Sequence, residues 1–232
     1  MPTTLELLPD RLPADPMPIA AAWLAEAWQQ RVQRNPDAMV LATVDDRGRP
    51  SARVVLCKEI VAIAGYLLFY TNYNSRKGRE IAARPRGAAV MHWDKLHRQL
   101  RIEGPIVKAL PAESDAYFAT RTWQRRVGAW ASQQSEPVDS RAQLLDAVRK
   151  VEARFDTPDA MAPSEPADDF SRDVSVPRPP HWGGYRLWAE TVELWVEGEY
   201  RIHDRARWSR LLTPASEHDF VAGSWTATRL QP

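Results

Sequence analysis

At 232 residues, 44% hydrophobic and 26% charged with a formal net charge of +1, the chain has the proportions of a water-soluble globular protein able to bury a sizeable core. So balanced a charge excludes a global field for nucleic acid or an acidic membrane surface, and any basic site must be local. The single cysteine, Cys57, excludes an intrachain disulfide and sits in an apolar run, as a buried structural thiol would; no apolar run is long enough to span a bilayer.

Residues 1–16 are rich in proline and lack the basic start and apolar middle of a signal peptide, so an extended leader on a cytoplasmic protein is expected, followed by one domain over 17–232. Ile19, Trp23, Leu24, Ala27, Trp28 and Val32 recur at helical spacing, predicting a helix over about 17–34 that Asn35-Pro36 ends. Ala38 to Val44 and Ser51 to Lys58 are β-type runs joined by Asp45-Asp46-Arg47-Gly48, a turn signal, so a hairpin is expected. Tyr66 to Thr71 reads as a buried strand, Asn72 to Asn74 as a loop, and Ser75 as the cap of a helix carrying Arg76, Lys77, Glu80, Ile81 and Ala82. Strand, loop and helix start leave backbone N–H groups pointing outward, and with Arg76 and Lys77 in the first turn they suit a phosphate. The plain alternative is a solvated surface helix whose two cations merely oppose its dipole.

Two further strands are expected at Gly87–Trp93 and His97–Val107, the second sending Arg98, Leu100 and Ile102 to one side and His97, Gln99, Arg101 and Glu103 to the other. Pro111 to Thr120 and Gln124 to Ser132 read as helices, and Ser140 with Gln143 matches a capping box before the stripe Leu144, Val148, Val151 and Phe155. Residues 156–180, rich in Pro, Asp, Ser and Ala, predict a mobile surface loop. Strands are then expected at Tyr185–Leu187, Thr191–Val196 and Tyr200–Leu211, with a tight turn at Glu197-Gly198-Glu199, and at Trp225–Leu230 beyond a polar insertion near 213–224. Strands outnumber helices and are joined mostly by short turns. The fold class is mainly β with flanking helices (α+β), an antiparallel barrel.

In the run YRIHDR an extended strand would put Arg201, His203 and Arg205 on one face, where three potentially cationic groups call for an anion or a carboxylate. A solvated strand edge with acidic neighbours is the alternative. Among five histidines and one cysteine no metal-ligand spacing occurs, so no metal is expected.

The succession RVVLCK, YTN, SRKG, WDKLHRQ, GAWASQQS, HWGGYR, VELW and RIHDR resembles the pyridoxamine 5′-phosphate oxidase family, from LPADP near residue 12 to the closing RLQP. The resemblance implies an FMN-binding split barrel and a homodimer with flavin at the subunit interface. Carried over by position, it implies that Arg53, Lys58, Tyr70, Thr71, Arg76, Lys77, Gln99, Gln134, Ser135, Trp195 and Arg205 hold FMN, and Ser75, at the helix start that suits a phosphate, is expected beside them. Lys58, Tyr117, Arg121, Arg201 and His203 would hold the phosphorylated B6 vitamer, joined by Arg125, which stands where the family usually has serine. Arg201 and His203 would be the catalytic pair, with His203, at a reference pKa of about 6.5, able to assist proton removal. The implied reaction oxidises pyridoxamine or pyridoxine 5′-phosphate to pyridoxal 5′-phosphate, with O2 as acceptor and H2O2 as product. Two alternatives are a same-fold flavin oxidase acting on another substrate, such as a phenazine precursor, and a non-catalytic flavin-binding protein. Arg53 and Lys58 are five residues apart, so a regular strand would send them to opposite faces; either a bulge intervenes or the ligand wraps a strand end.

Overall fold

Asp45 explains the first hairpin. Its carboxylate accepts the N–H groups of Arg47 and Arg49, while Gly48 takes φ +81° and donates to the Asp45 carbonyl, so the chain reverses between β1 (Ala38–Val44) and β2 (Pro50–Val61). These bonds, with the Arg49 side chain, hold the Asp45 carboxyl below its usual range. A second reversal, with Gly65 at φ +81°, leads into β3 (Tyr66–Asn72). The computed structural model describes residues 7–162 and 174–232, so the first six leader residues and the middle of the expected 156–180 loop lie outside the described residues.

The described residues form two compact units: one takes the chain up to Phe69 together with Glu80–Lys108 and Tyr185–Pro232, the other Tyr70–Arg79 and Ala109–Gly184. The first holds the sheet. After α2 (Arg76–Ala83) come β4 (Arg86–Trp93) and β5 (Arg98–Lys108); later come β6 (Trp182–Trp188), β7 (Thr191–Val196), β8 (Asp204–Ser209), β9 (Leu212–Pro214), β10 (Phe220–Ala222) and β11 (Thr226–Leu230). Nine strands follow the order β11-β8-β7-β5-β4-β1-β2-β3-β6, with a further pairing between β5 and β6. One edge of β5 pairs with β4, and the other serves two partners: Arg98–Glu103 pair with β7, and Ile106–Lys108 pair with β6. The second pairing closes β5-β4-β1-β2-β3-β6 into a six-stranded barrel. Gly104 stands at the changeover, where any side chain would collide with the Trp188 carbonyl.

The barrel interior is apolar: Met39, Leu41, Leu67, Phe69, Met91, Leu100, Ile102, Ile106 and Leu187 are all buried, each contributing roughly 1.5–3 kcal/mol. Cys57 is buried there too, and burial pushes its thiol up to about 12, which makes it an inert packing group. Trp93 and Trp208 are fully buried because each indole N–H finds a carbonyl, Pro36 and Pro13 respectively, at 2.8 Å. The described part of the leader is therefore tied down, since Leu8 is also buried and its N–H donates to Asp204 at 2.8 Å. Helix α1 (Met17–Gln29) packs in the same unit, its Glu26 paired with buried Arg98, whose guanidinium lies over Trp23.

The second unit contains α3 (Pro111–Ala119), α4 (Trp123–Ala131) and α5 (Arg141–Phe155). Ser140 caps α5 by accepting the Gln143 N–H at 3.1 Å, but Gln143 reaches back to the N–H of Asp139 rather than that of Ser140. Val148, Val151 and Phe155 pack against Trp123 and Val127, while Leu144 of the expected stripe stays exposed.

Four expectations need correction. Helix α1 stops at Gln29, and Val32 is buried from the turn that follows. β6 starts at Trp182, three residues before the expected Tyr185. The insertion near 213–224 contains the hairpin β9–β10, whose three-residue strands are too short to show a period. The largest correction is at Tyr200–Leu211. Glu199–Arg201 form a single tight turn with Tyr200 at φ +55° and Arg201 at φ +67°, and the strand begins only at Asp204. Arg201, His203 and Arg205 do not share a strand face.

Candidate active site

In the second unit, residues distant in sequence meet after β3. Asn72 shapes the turn: its Oδ1 accepts the Asn74 N–H, its carbonyl accepts the Ser75 hydroxyl, and its Nδ2 donates to the Ser132 carbonyl. Ser75 caps α2 as expected, with Oγ accepting the Gly78 N–H at 3.3 Å. Lys77, although buried, donates from Nζ to Ser75 Oγ at 2.9 Å and to Gln134 Oε1 at 2.6 Å, and Gln134 Oε1 also accepts from Thr71 at 3.2 Å. Thus Thr71, Ser75, Lys77 and Gln134, spread over some sixty residues of sequence, form one hydrogen-bonded cluster. Ser135 follows at φ +76°, and Arg76 is exposed in the first turn.

Beside this cluster lies an aromatic group in the same unit. Tyr70 stacks on Tyr117 with centroids 3.9 Å apart, and Trp182 lies nearly parallel to both. The Arg121 guanidinium sits 4.7 Å over the Trp182 ring, and its buried Nη1 has no hydrogen-bond partner. Burial pushes the Arg121 pKa down, although the nearby Tyr117 opposes this. Arg125 is exposed on α4. Trp182 was not among the residues singled out from sequence. A signal was present in HWGGYR, because a side chain at Gly183 would strike the Tyr73 hydroxyl, so the Trp-Gly-Gly run marks a close approach.

In the first unit, strand register lines up three expected residues. Gln99 is opposite Trp195, and Trp195 is opposite Arg205, a row across β5, β7 and β8. The His203 ring lies 4.7 Å from Trp195, and its Nδ1 accepts the Gly198 N–H at 3.2 Å. With Nδ1 engaged as an acceptor, Nε2 is the ring nitrogen left to donate. Arg205 is held by Glu193, from Nη2 at 2.8 Å and Nε at 3.1 Å, and by the Gln231 carbonyl.

Arg53 and Lys58 stand apart from that row on β2. Arg53 bonds the Glu80 carboxylate at 3.0 Å, the Leu41 carbonyl, and the hydroxyls of Thr43 and Ser51. Lys58 pairs with Asp37 at 2.8 Å. The parity question has a structural answer: Cys57 pairs with Phe69 and Glu59 with Leu68, so Lys58 is the extra residue of a β-bulge. Among the described residues there is no cluster of three or more His, Cys, Asp or Glu side chains fit for a metal, and no helix long and apolar enough to cross a membrane.

The second unit offers donors for phosphate and flat aromatic surfaces, and the first an imidazole beside an indole, each of a kind that suits phosphorylated aromatics. Known proteins agree. Residues 24–155 match the family model described as pyridoxamine 5′-phosphate oxidase, and residues 182–232 match that of the pyridoxine 5′-phosphate oxidase C-terminal dimerisation region. A pyridoxine/pyridoxamine 5′-phosphate oxidase of Cereibacter sphaeroides is 42% identical over 218 residues, 94% of this chain and 95% of that one. Its counterpart in Paracoccus denitrificans is 46% identical over 84% of this chain and 82% of its own. Among solved structures, PhzG from Burkholderia lata 383, in complex with tetrahydrophenazine-1-carboxylic acid, superposes with a TM-score of 0.79 at 28% identity, covering 99% of this chain and all of that one. An FMN-binding protein of Nostoc punctiforme, 16% identical with a TM-score of 0.63 over 95% of this chain and 100% of its own, shares the split-barrel fold. Matched by family models at both ends and by oxidases along nearly its whole length, this chain belongs to the pyridoxamine 5′-phosphate oxidase family.

Proposed function

We propose that the chain is an FMN-dependent oxidase that converts pyridoxine 5′-phosphate and pyridoxamine 5′-phosphate to pyridoxal 5′-phosphate in the cytoplasm, with O2 as electron acceptor and H2O2 as product. The observation that carries this function is the meeting of Thr71, Lys77 and Gln134, which the family resemblance assigns to FMN, with Ser75, the helix cap expected at a phosphate site. Their chemistry fits the group. A buried ammonium, two hydroxyls and a side-chain amide at a helix start suit a phosphate monoester, and exposed Arg76 adds a guanidinium. Held there, FMN would supply the two-electron redox chemistry between the substrate C4′ carbon and O2.

The chain's own residues bind and orient. Tyr117 and Arg121, four apart, address the substrate phosphate, and Arg125 is close enough to Arg121 to repel it electrostatically, so it adds positive charge to the same region. Arg201, in the turn before β8, grips the substrate, and His203 donates from Nε2 while Gly198 fixes the ring. The alcohol substrate releases its hydroxyl proton to solvent as the hydride leaves and becomes the aldehyde directly. The amine yields an imine, which water hydrolyses to aldehyde and ammonia.

The working form is a homodimer with flavin at the interface. In support, β1 and β2 carry an outward apolar row, Val40 opposite Val54 and Leu56 beside them, which are 43%, 65% and 37% exposed.

Peroxide assays with pyridoxine 5′-phosphate, pyridoxamine 5′-phosphate and a reduced phenazine precursor test the function. Peroxide from the vitamers supports it; peroxide from the phenazine compound alone selects the activity suggested by the PhzG likeness, and a yellow protein inert to all three is a flavin binder. Arg201→Ala is expected to cut turnover about a hundredfold with FMN retained. Unchanged turnover removes Arg201 from its role.

A further inference from the structure

Arg121 is an unusual arginine. Its guanidinium lies 4.7 Å above the Trp182 ring and 5.4 Å from that of Phe118, and its Nη1 is buried without a hydrogen-bond partner. A guanidinium has five N–H donors, and rings satisfy none of them as an oxygen would. The faces of aromatic rings hold the cation electrostatically and leave its in-plane donors directed past the ring edge. The support itself is rigid. Trp182 is buried, its carbonyl accepts from Arg178 Nη1 at 2.7 Å, and Arg178 is fixed by Asp115 at 2.6 Å. Tyr70 and Tyr117 lie parallel to its ring within 10° and 6°. From the chain side, Arg126 bonds the carbonyls of Arg121 and Ala119 at 2.8 Å, pinning the corner between α3 and α4 from which Arg121 extends.

We propose that Trp182 is a positioning residue for substrate phosphate: its indole face holds the Arg121 guanidinium, desolvated and with a donor to spare, where a phosphorylated vitamer can take it. This rests on Arg121 being a phosphate ligand, as set out under Proposed function. An arginine held by rings has already lost its rotamer freedom, so less entropy is lost when the phosphate arrives. A carboxylate would also hold the arginine, but it would fill the donors and cancel the charge. An aromatic platform does neither.

The test compares Trp182→Leu, Trp182→Phe, Arg121→Met and the Trp182→Leu/Arg121→Met double variant as FMN-loaded enzymes. It measures KM and kcat for pyridoxine 5′-phosphate, competitive inhibition by inorganic phosphate, FMN content and Tm. Trp182→Leu is expected to raise KM and weaken phosphate inhibition about fivefold, with kcat and FMN content close to wild type. Trp182→Phe restores most of this, and the double variant binds no worse than Arg121→Met alone. A wild-type KM in Trp182→Leu, with KM raised in Arg121→Met, overturns the platform and leaves the phosphate role of Arg121 standing. A wild-type KM and phosphate inhibition in Arg121→Met overturn that role, and the platform with it. Joint loss of kcat, FMN and Tm in both Trp182 variants, without a selective KM change, makes Trp182 a packing residue only. If Trp182→Leu does not fold, Trp182→Phe decides, with KM raised about twofold expected and an unchanged KM contradicting the platform.

Discussion

Arg53 and Arg121 carry the same side chain in two different electrostatic settings. Arg53, in the barrel unit, has its donors taken up by the Glu80 carboxylate, two hydroxyls and a carbonyl. Arg121, in the helical unit, leans on Trp182 and Phe118 and keeps a buried nitrogen without a partner. The first is a neutralised pair that organises β1, β2 and Glu80; the second holds a full positive charge in a partly desolvated place, which destabilises the fold slightly and suits an incoming anion. Lys58 with Asp37 and Arg205 with Glu193 follow the Arg53 pattern. A cation assigned to a ligand from sequence can thus be fully engaged by the protein, and only its partners reveal which cations hold charge in reserve.

The contrast predicts opposite outcomes for similar substitutions. Arg53→Ala takes one cation from Glu80, only 4% exposed, and removes the bonds to Leu41, Thr43 and Ser51, and should cost about 3 kcal/mol in denaturant unfolding. Stability at the wild-type level would mean that Arg53 contributes nothing net to the fold. Arg121→Met removes a desolvated charge, so Tm should hold or rise while KM for pyridoxine 5′-phosphate climbs about thirtyfold, the worth of a charge-assisted phosphate contact. A fall in Tm with KM unchanged would reverse the assignment of the two arginines. Smaller again is Lys77→Met. Losing the ammonium between Ser75 and Gln134 should weaken FMN binding about tenfold, read by flavin fluorescence on titration of apoprotein, and unchanged affinity would exclude Lys77 from the flavin site.

Much of the fold was legible because local chemistry and global structure agree. Asp45 to Gly48 dictated a turn, Ser75 and Ser140 capped helices, and the alternation in β5 separated buried Leu100 and Ile102 from the face carrying Gln99. The failures have physical causes. Tyr200 and Arg201 adopt left-handed backbone although neither is glycine, so YRIHDR looked extended and its alternation was misleading. The bulge at Lys58 depends on pairing with β3, which no single strand encodes. Of the site, the cluster around Lys77 and the row Gln99–Trp195–Arg205 were anticipated by resemblance and are drawn together by hydrogen bonds and strand register. Trp182 was missed because it precedes the strand expected at Tyr185, and its contact with Arg121 crosses some sixty residues of sequence.

The most direct test of the proposed chemistry is to add pyridoxamine 5′-phosphate to the FMN-loaded protein without oxygen and follow the visible flavin band. Bleaching in proportion to the vitamer added, with colour restored and peroxide formed once air is admitted, is the predicted result. A band that stays unchanged with both pyridoxamine and pyridoxine 5′-phosphate, in protein shown to bind FMN, would contradict it.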